Sequence, residues 1–251
     1  MSKLPKAPLI EVIFELRWQI RNNDDLAKFQ YFHGDLYSSF KNQYPVRESL
    51  LNPTLPIELL VNKPFHRFWS EGKRHPLIQV GPGLVTLNTT DEYYFWTEYS
   101  SSIESLIKRF FDLYPINEQD LFRPCLIYVD FFEVSKGQKL LTFINENLNT
   151  TFKQDFINAE TDLETFNLAF SFKNSLGSVS IAINTSTANG KEGLVTETRL
   201  NGLEYKSDPS EIVDWLHKAH EFCSILFQEM TKGSLYESFK NTTDATIGPS
   251  Y

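Results

Sequence analysis

Apolar and polar residues alternate along residues 11–20. Val12, Phe14, Leu16, Trp18 and Ile20 fall on one side of the alternation, and Glu11, Ile13, Glu15, Arg17 and Gln19 on the other. A period of two with β-branched and aromatic residues predicts a half-buried strand. From Asn23 the period changes. Asn23 or Asp24 can cap a helix, and Leu26, Phe29, Phe32 (or His33), Leu36 and Phe40 then recur three and four apart. Tyr44-Pro45 ends that helix, because the residue before proline is pushed out of the helical region. Short strands are predicted at 57–61, 66–70, 77–80 and 84–87. Gly81-Pro82-Gly83 forms a tight connection between the last two, and residues 93–97 extend the last strand. Ser101 and Glu104 at capping-box spacing open a second helix with the stripe Ile103, Leu106, Ile107, Phe110, Phe111 and Tyr114, stopped at Pro115.

The second half follows the same order: a strand at 126–134, a short helix at 140–148, and strands at 164–172, 179–185 and 194–201. A long helix then starts at Asp208-Pro209-Ser210-Glu211, with Asp208 as N-cap and Pro209 at the first helical position. Its apolar face runs through Ile212, Trp215, Leu216, Ala219, Cys223 and Phe227. The pattern implies an α+β protein of duplicated β-α-β(3-4)-α units, one in 1–120 and one in 121–240, with a flexible tail at 241–251. This order resembles the half-repeat of the TATA-box-binding-protein fold. The resemblance implies one curved antiparallel sheet with helices on one face; two separate α+β sandwiches are the alternative.

Composition adds limits. The 251 residues are 41% hydrophobic and 14% aromatic, enough for a sizeable core. No apolar run reaches the roughly 18 residues of a membrane span, and the N-terminus lacks a signal-peptide pattern. Only two cysteines occur, Cys125 and Cys223, each among apolar neighbours. These features imply a cytoplasmic protein with no membrane partner. A net charge of −8 disfavours indiscriminate nucleic-acid binding, which needs a cationic surface. One basic cluster stands out: Lys63, His66, Arg67, Lys73, Arg74 and His75, read as a solvated hairpin rim.

Catalytic templates are absent: no GxSxG, Walker loop, HExxH or CxxC pair occurs. Asp214, His217, His220 and Glu221 on the last helix are read as an exposed polar face, so no metal and no cofactor is expected. Glu11 and Glu15 lie about 13 Å apart at about 3.3 Å per residue, too far for glycosidase-like cooperation. With Arg17 beside Glu15, the polar side of the first strand reads either as a cross-strand charge ladder or as a partner surface. Ser, Thr and Asn alternate with Phe, Leu, Val and Ile in the strands at 164–172 and 179–185. Thr196 and Thr198 are taken to extend that polar face.

The stretch from Ala7 to Trp18, APLIEVIFELRW, resembles the opening of a sporadically distributed, uncharacterised bacterial and archaeal family. The family pattern also matches Gln79 and Asn88 flanking a hairpin, the aromatic pair Tyr94 and Trp96, and Arg123 followed by Tyr128. The patchy occurrence of such a family implies an accessory role, as in anti-phage defence or toxin–antitoxin systems. The leading expectation is a non-enzymatic binding or regulatory protein that meets a protein partner through the polar sheet face, with Glu15, Arg17, Gln79, Asn88 and Arg123 as binding residues, or through the Arg67–His75 rim, with homo-oligomerisation open. The alternatives are a nucleic-acid-binding protein using the open sheet face, and an enzyme of unrecognised type with Glu15 as acid/base and Arg17 or Arg123 as anion clamp.

Overall fold

The computed structural model describes residues 3–50, 59, 61–153, 155–156, 163–231 and 233–241. The expected strand at 57–61, apart from residues 59 and 61, and the tail beyond residue 241 lie outside the described residues. The first half comprises β1 (Leu9–Trp18), α1 (Asn23–Phe40), β2 (Val46–Ser49), β3 (His66–Ser70), β4 (Arg74–Gly81), β5 (Leu84–Thr90) and α2 (Trp96–Leu113). Then follow β6 (Phe122–Glu133), α3 (Leu140–Asn147), β7 (Asn167–Asn174), β8 (Gly177–Ala188), β9 (Lys191–Gly202), α4 (Pro209–Met230) and α5 (Gly233–Lys240).

The nine strands of the described residues join one open antiparallel sheet in the order β2-β3-β4-β5-β1-β6-β9-β8-β7. The first strand of the chain is therefore central, hydrogen-bonded to β5 on one side and β6 on the other. This continuous pairing replaces the alternative of two separate sandwiches. Gly83, at φ +79°, makes the β4–β5 turn in a backbone region that side-chain-bearing residues avoid.

Strand parity decides the layers. Val12, Phe14 and Leu16 of β1 are fully buried, and so are their neighbours Val85 and Leu87 on β5 and Leu126 on β6. Phe29, Phe32 and Leu36 of α1, Ile103, Leu106 and Phe110 of α2, and Ile212, Trp215 and Leu216 of α4 close over this face in one core cluster. Burying each such side chain contributes about 1.5–3 kcal/mol. Trp18 donates its indole N–H to Tyr114 Oη at 2.8 Å and packs edge-on against Phe32.

Three local expectations change. Asn22 caps α1, its Oδ1 accepting from the Asp25 amide at 3.0 Å, one residue before the expected caps. Helix α2 starts at Trp96 without any side-chain cap, five residues ahead of Ser101, and Ser101 instead donates to Thr97 O at 2.9 Å. Residues 93–97 therefore do not extend the strand.

The early start of α2 delivers Tyr99 into the sheet. Its hydroxyl accepts from the Phe14 amide at 2.9 Å and lies 2.7 Å from Leu87 O, standing between two residues that face each other across β1 and β5. Replacing Tyr99 with Phe leaves a buried amide without its acceptor. We expect a loss of about 1–3 kcal/mol, read as a lower Tm in thermal denaturation. An unchanged Tm would mean that the ladder closes without the hydroxyl.

Candidate functional site

The residues singled out from the sequence lie on the sheet face away from the helices. Register places Glu48, Arg67, Gln79, Thr86, Glu15, Cys125 and Asn201 in one row across β2, β3, β4, β5, β1, β6 and β9. Gln79 and Asn88 meet directly: Gln79 Nε2 donates to Asn88 Oδ1 at 3.2 Å. Thr86 donates to the same oxygen at 2.6 Å, and Asn88 Nδ2 donates to Glu11 at 2.8 Å. Glu15 Oε2 accepts from Arg17 Nε at 2.8 Å and from an Arg199 guanidinium nitrogen at 3.3 Å. Arg123 faces Arg17 in the register and pairs outward with Glu204 at 2.7 Å.

Arg199 was missed in the sequence. Thr196 and Thr198, expected on this polar face, sit on the opposite one: Thr198 faces Tyr128 and Ile181, whereas Arg199 faces Ile127 and Ser180. The signal was present, since Leu194 and Leu200 share the parity of the two threonines and are fully buried. Arg199 also holds Glu197 at 3.0 Å, so this face, buried at Glu15, Thr86, Asn88 and Cys125, carries a ladder of mutually paired charges. The basic rim is solvated as expected at Lys63, Lys73 and Arg74, which are exposed, and departs from expectation at His66. Arg67 donates to Gln79 at 2.9 Å and Lys73 pairs with Glu48 at 3.3 Å. His66 is buried on the helix side 4.5 Å from the His33 ring, and burial pushes it down to about 4.

The helix side of the sheet holds a second assembly, a cavity of about 250 Å³ between β6, the start of α2, α4 and residues 3–9. The N-terminal segment is pinned there because the Phe131 amide donates to Pro8 O and the Lys6 amide to Phe239 O. Tyr94, Trp96, Tyr128, Asp130, His220 and Cys223 line the space. The Tyr94 and Tyr128 hydroxyls are 3.2 Å apart, and Tyr128 Oη lies 2.8 Å from His220 Nδ1. The His220 ring stacks on Trp96 at 3.6 Å between centroids and 12° between planes.

Asp130 is the unusual member. Phe122, Leu126, Tyr128 and Phe132 occupy the helix-facing positions of β6, and Asp130 takes the same parity. It is 5% exposed, and no hydrogen bond or ion pair from the described residues reaches its carboxyl. Thr196, its register partner on β9, is fully buried with an unpartnered hydroxyl. Burial, with the Asp91 charge adding, pushes the Asp130 carboxyl up to about 7. Burial moves the other groups away from neutrality: His220 down to about 4, Tyr94 and Cys223 each up to about 12.

The sequence groups His220 with Asp214, His217 and Glu221, whose shared face is expected to be exposed. Asp214 and His217 do lie there, paired with Lys218 at 2.6 Å and Glu104 at 3.0 Å, but His220 turns inward. Its position was legible, being four residues after Leu216 and three before Cys223, both in the apolar stripe. Among the described residues no group of three or more His, Cys, Asp or Glu side chains is arranged to hold a metal ion. None of the described helices is long and apolar enough to cross a membrane. Comparison with known proteins finds no match to this chain among family models, curated proteins or solved structures.

Proposed function

We propose that this chain is a non-enzymatic binding protein and that its site is the helix-side cavity rather than the open sheet face. Asp130 carries the reading. A buried carboxyl without a partner costs stability, and the fold retains one at the wall of a space large enough for a ligand. The open face offers less, because Glu15, Arg17, Gln79 and Asn88 already satisfy one another. That face keeps a secondary role as the surface a protein partner would meet. The family-like N-terminal phrase supports an accessory role such as bacterial defence. We also propose the finer architecture of duplicated units forming a saddle like that of the TATA-box-binding protein. The mirrored strand order supports it: β1-β5-β4-β3 run outward on one side and β6-β9-β8-β7 on the other.

A second reading has one observation in its favour: a carboxyl near neutrality suits general acid/base chemistry. Against it stands the thiol beside it, which burial keeps protonated and unreactive.

The test uses benzyl alcohol as a neutral probe small enough for the cavity. We expect millimolar binding that alters Trp96 emission and raises Tm by mass action. Filling the space through Ala7→Phe, at a partly buried lining position, should abolish the response. Binding that persists in A7F, or none in the parent protein, would overturn the cavity as the site. Conversion of a bound compound to product by the parent protein and not by A7F would replace binding with catalysis.

A further inference from the structure

We infer that the helix-side cavity takes a small organic cation, an amine or amidine carried on an aromatic or other flat apolar ring, with its charged group against Asp130. This rests on the cavity being the binding site and adds the chemical class of the ligand. Three features of the lining lead to it.

First, Asp130 brings a carboxyl to the cavity wall. The Asp130 carboxyl has no cationic partner among the described residues. The lining cation Lys3 is engaged elsewhere: its ammonium donates to Asp91 O, lies 3.2 Å from Asp91 Oδ1 and sits 5.2 Å from the Phe95 ring centre. A carboxylate at the wall of a mostly apolar, half-open space gains from a cation brought in with the ligand. Secondly, the walls are aromatic. Tyr94, Phe95, Trp96, Tyr128 and Phe227 line the space, and ring faces attract both flat apolar groups and ammonium groups. Thirdly, the space is small. About 250 Å³ is enough for a substituted single ring.

The other groups facing Asp130 sharpen the expected pH response. Tyr94 comes from the segment before α2, Tyr128 from β6, His220 and Cys223 from α4, Lys3 from the segment before β1, and the charge of Asp91, which follows β5, also acts on Asp130. Between pH 5 and 8 the two tyrosines, the histidine and the thiol stay neutral, since burial holds each of them outside that range. Among the described lining residues, Asp130 is then the group whose charge changes near pH 7. Below that pH the carboxyl takes up a proton and its hold on a cation weakens.

The experiment compares benzylamine, benzyl alcohol and benzoate by calorimetry at pH 8, using the intact chain. We expect benzylamine to bind at least about tenfold more tightly than benzyl alcohol, and benzoate more weakly than either. Asp130→Asn should erase the advantage of the amine over benzyl alcohol. In the parent protein, benzylamine affinity should fall about tenfold per pH unit below about 7, whereas benzyl alcohol affinity stays flat. Equal binding of amine and alcohol, or tighter binding of benzoate, overturns the cation while leaving the cavity as the site. Binding of none of the three removes both. Should D130N fail to fold, the pH profile of the parent protein decides the question by itself.

Discussion

Asp130→Asn is expected to stabilise this protein at pH 8 and to do so less and less as the pH falls. In the folded chain the carboxyl sits at about 7 against 3.8 for an ordinary aspartate, so the folded state holds the proton more tightly than the unfolded state. Stability from that proton is fully present below about pH 4 and is lost as the pH rises through 7. A displacement of about three pH units corresponds to roughly 4 kcal/mol. The buried amide that replaces the carboxyl costs about 1–2 kcal/mol of its own. The expected net gain is therefore about 2–3 kcal/mol at pH 8, vanishing or reversing near pH 4. Urea denaturation of both proteins across this range measures it. His66 and His220 also titrate in the acid part of the range, but they are common to both proteins and cancel in the difference. A constant gap between the two proteins at all pH values would show that Asp130 is not the buried, partnerless carboxyl described above. A residue that weakens the fold where it lines a cavity is the signature of a site kept for a ligand.

The second large effect is expected at Glu15. Its side chain is 10% exposed and receives Arg17 and Arg199, which are themselves 35% and 30% exposed. Removing a buried partner from such a cluster costs about 3–5 kcal/mol, and the partial exposure of the arginines lowers that here to about 2–3 kcal/mol. Glu15→Ala should therefore shift the urea midpoint strongly. Arg199→Met in the same chain should recover part of the loss, because the double variant no longer leaves that guanidinium without its carboxylate. Strictly additive losses would mean that Glu15 and Arg199 do not interact. Benzyl alcohol binding should survive in both variants, which separates the charge ladder from the cavity.

Much of the architecture was legible in the chain because its signals are local. Strict alternation marked β1, β8 and the two layers of the sheet, and three–four spacing marked α1 and α4. The Asp208-Pro209 start of α4 is as the capping chemistry requires, with Asp208 Oδ1 accepting from the Ser210 amide at 2.8 Å. What was not legible has physical causes. β2, four residues long, is too short for alternation to register, and α5, eight residues, barely exceeds two turns. The beginning of α2 carries no capping residue, since Phe95 offers no side-chain acceptor. It is fixed by Tyr99 entering the β1–β5 ladder and by Trp96 stacking on His220.

The same division runs through the two sites. The sequence by itself determined that Glu15, Arg17, Gln79 and Asn88 share a sheet face. A period of two sends alternate side chains to opposite faces, and hairpin pairing carries that parity from strand to strand. It equally determined that Asp130 falls on the apolar side of β6. Only the tertiary structure decided the strand order, and with it the neighbours. Placing β9 beside β6 brings Arg199 to Glu15 across 184 residues, and packing α4 over the sheet brings His220 to Tyr128 across 92. No local periodicity encodes such meetings, because they follow from burying the apolar faces of distant elements against one another. The same burial strips water from Asp130 and leaves it without a partner, turning an ordinary aspartate in the sequence into the group that defines the cavity.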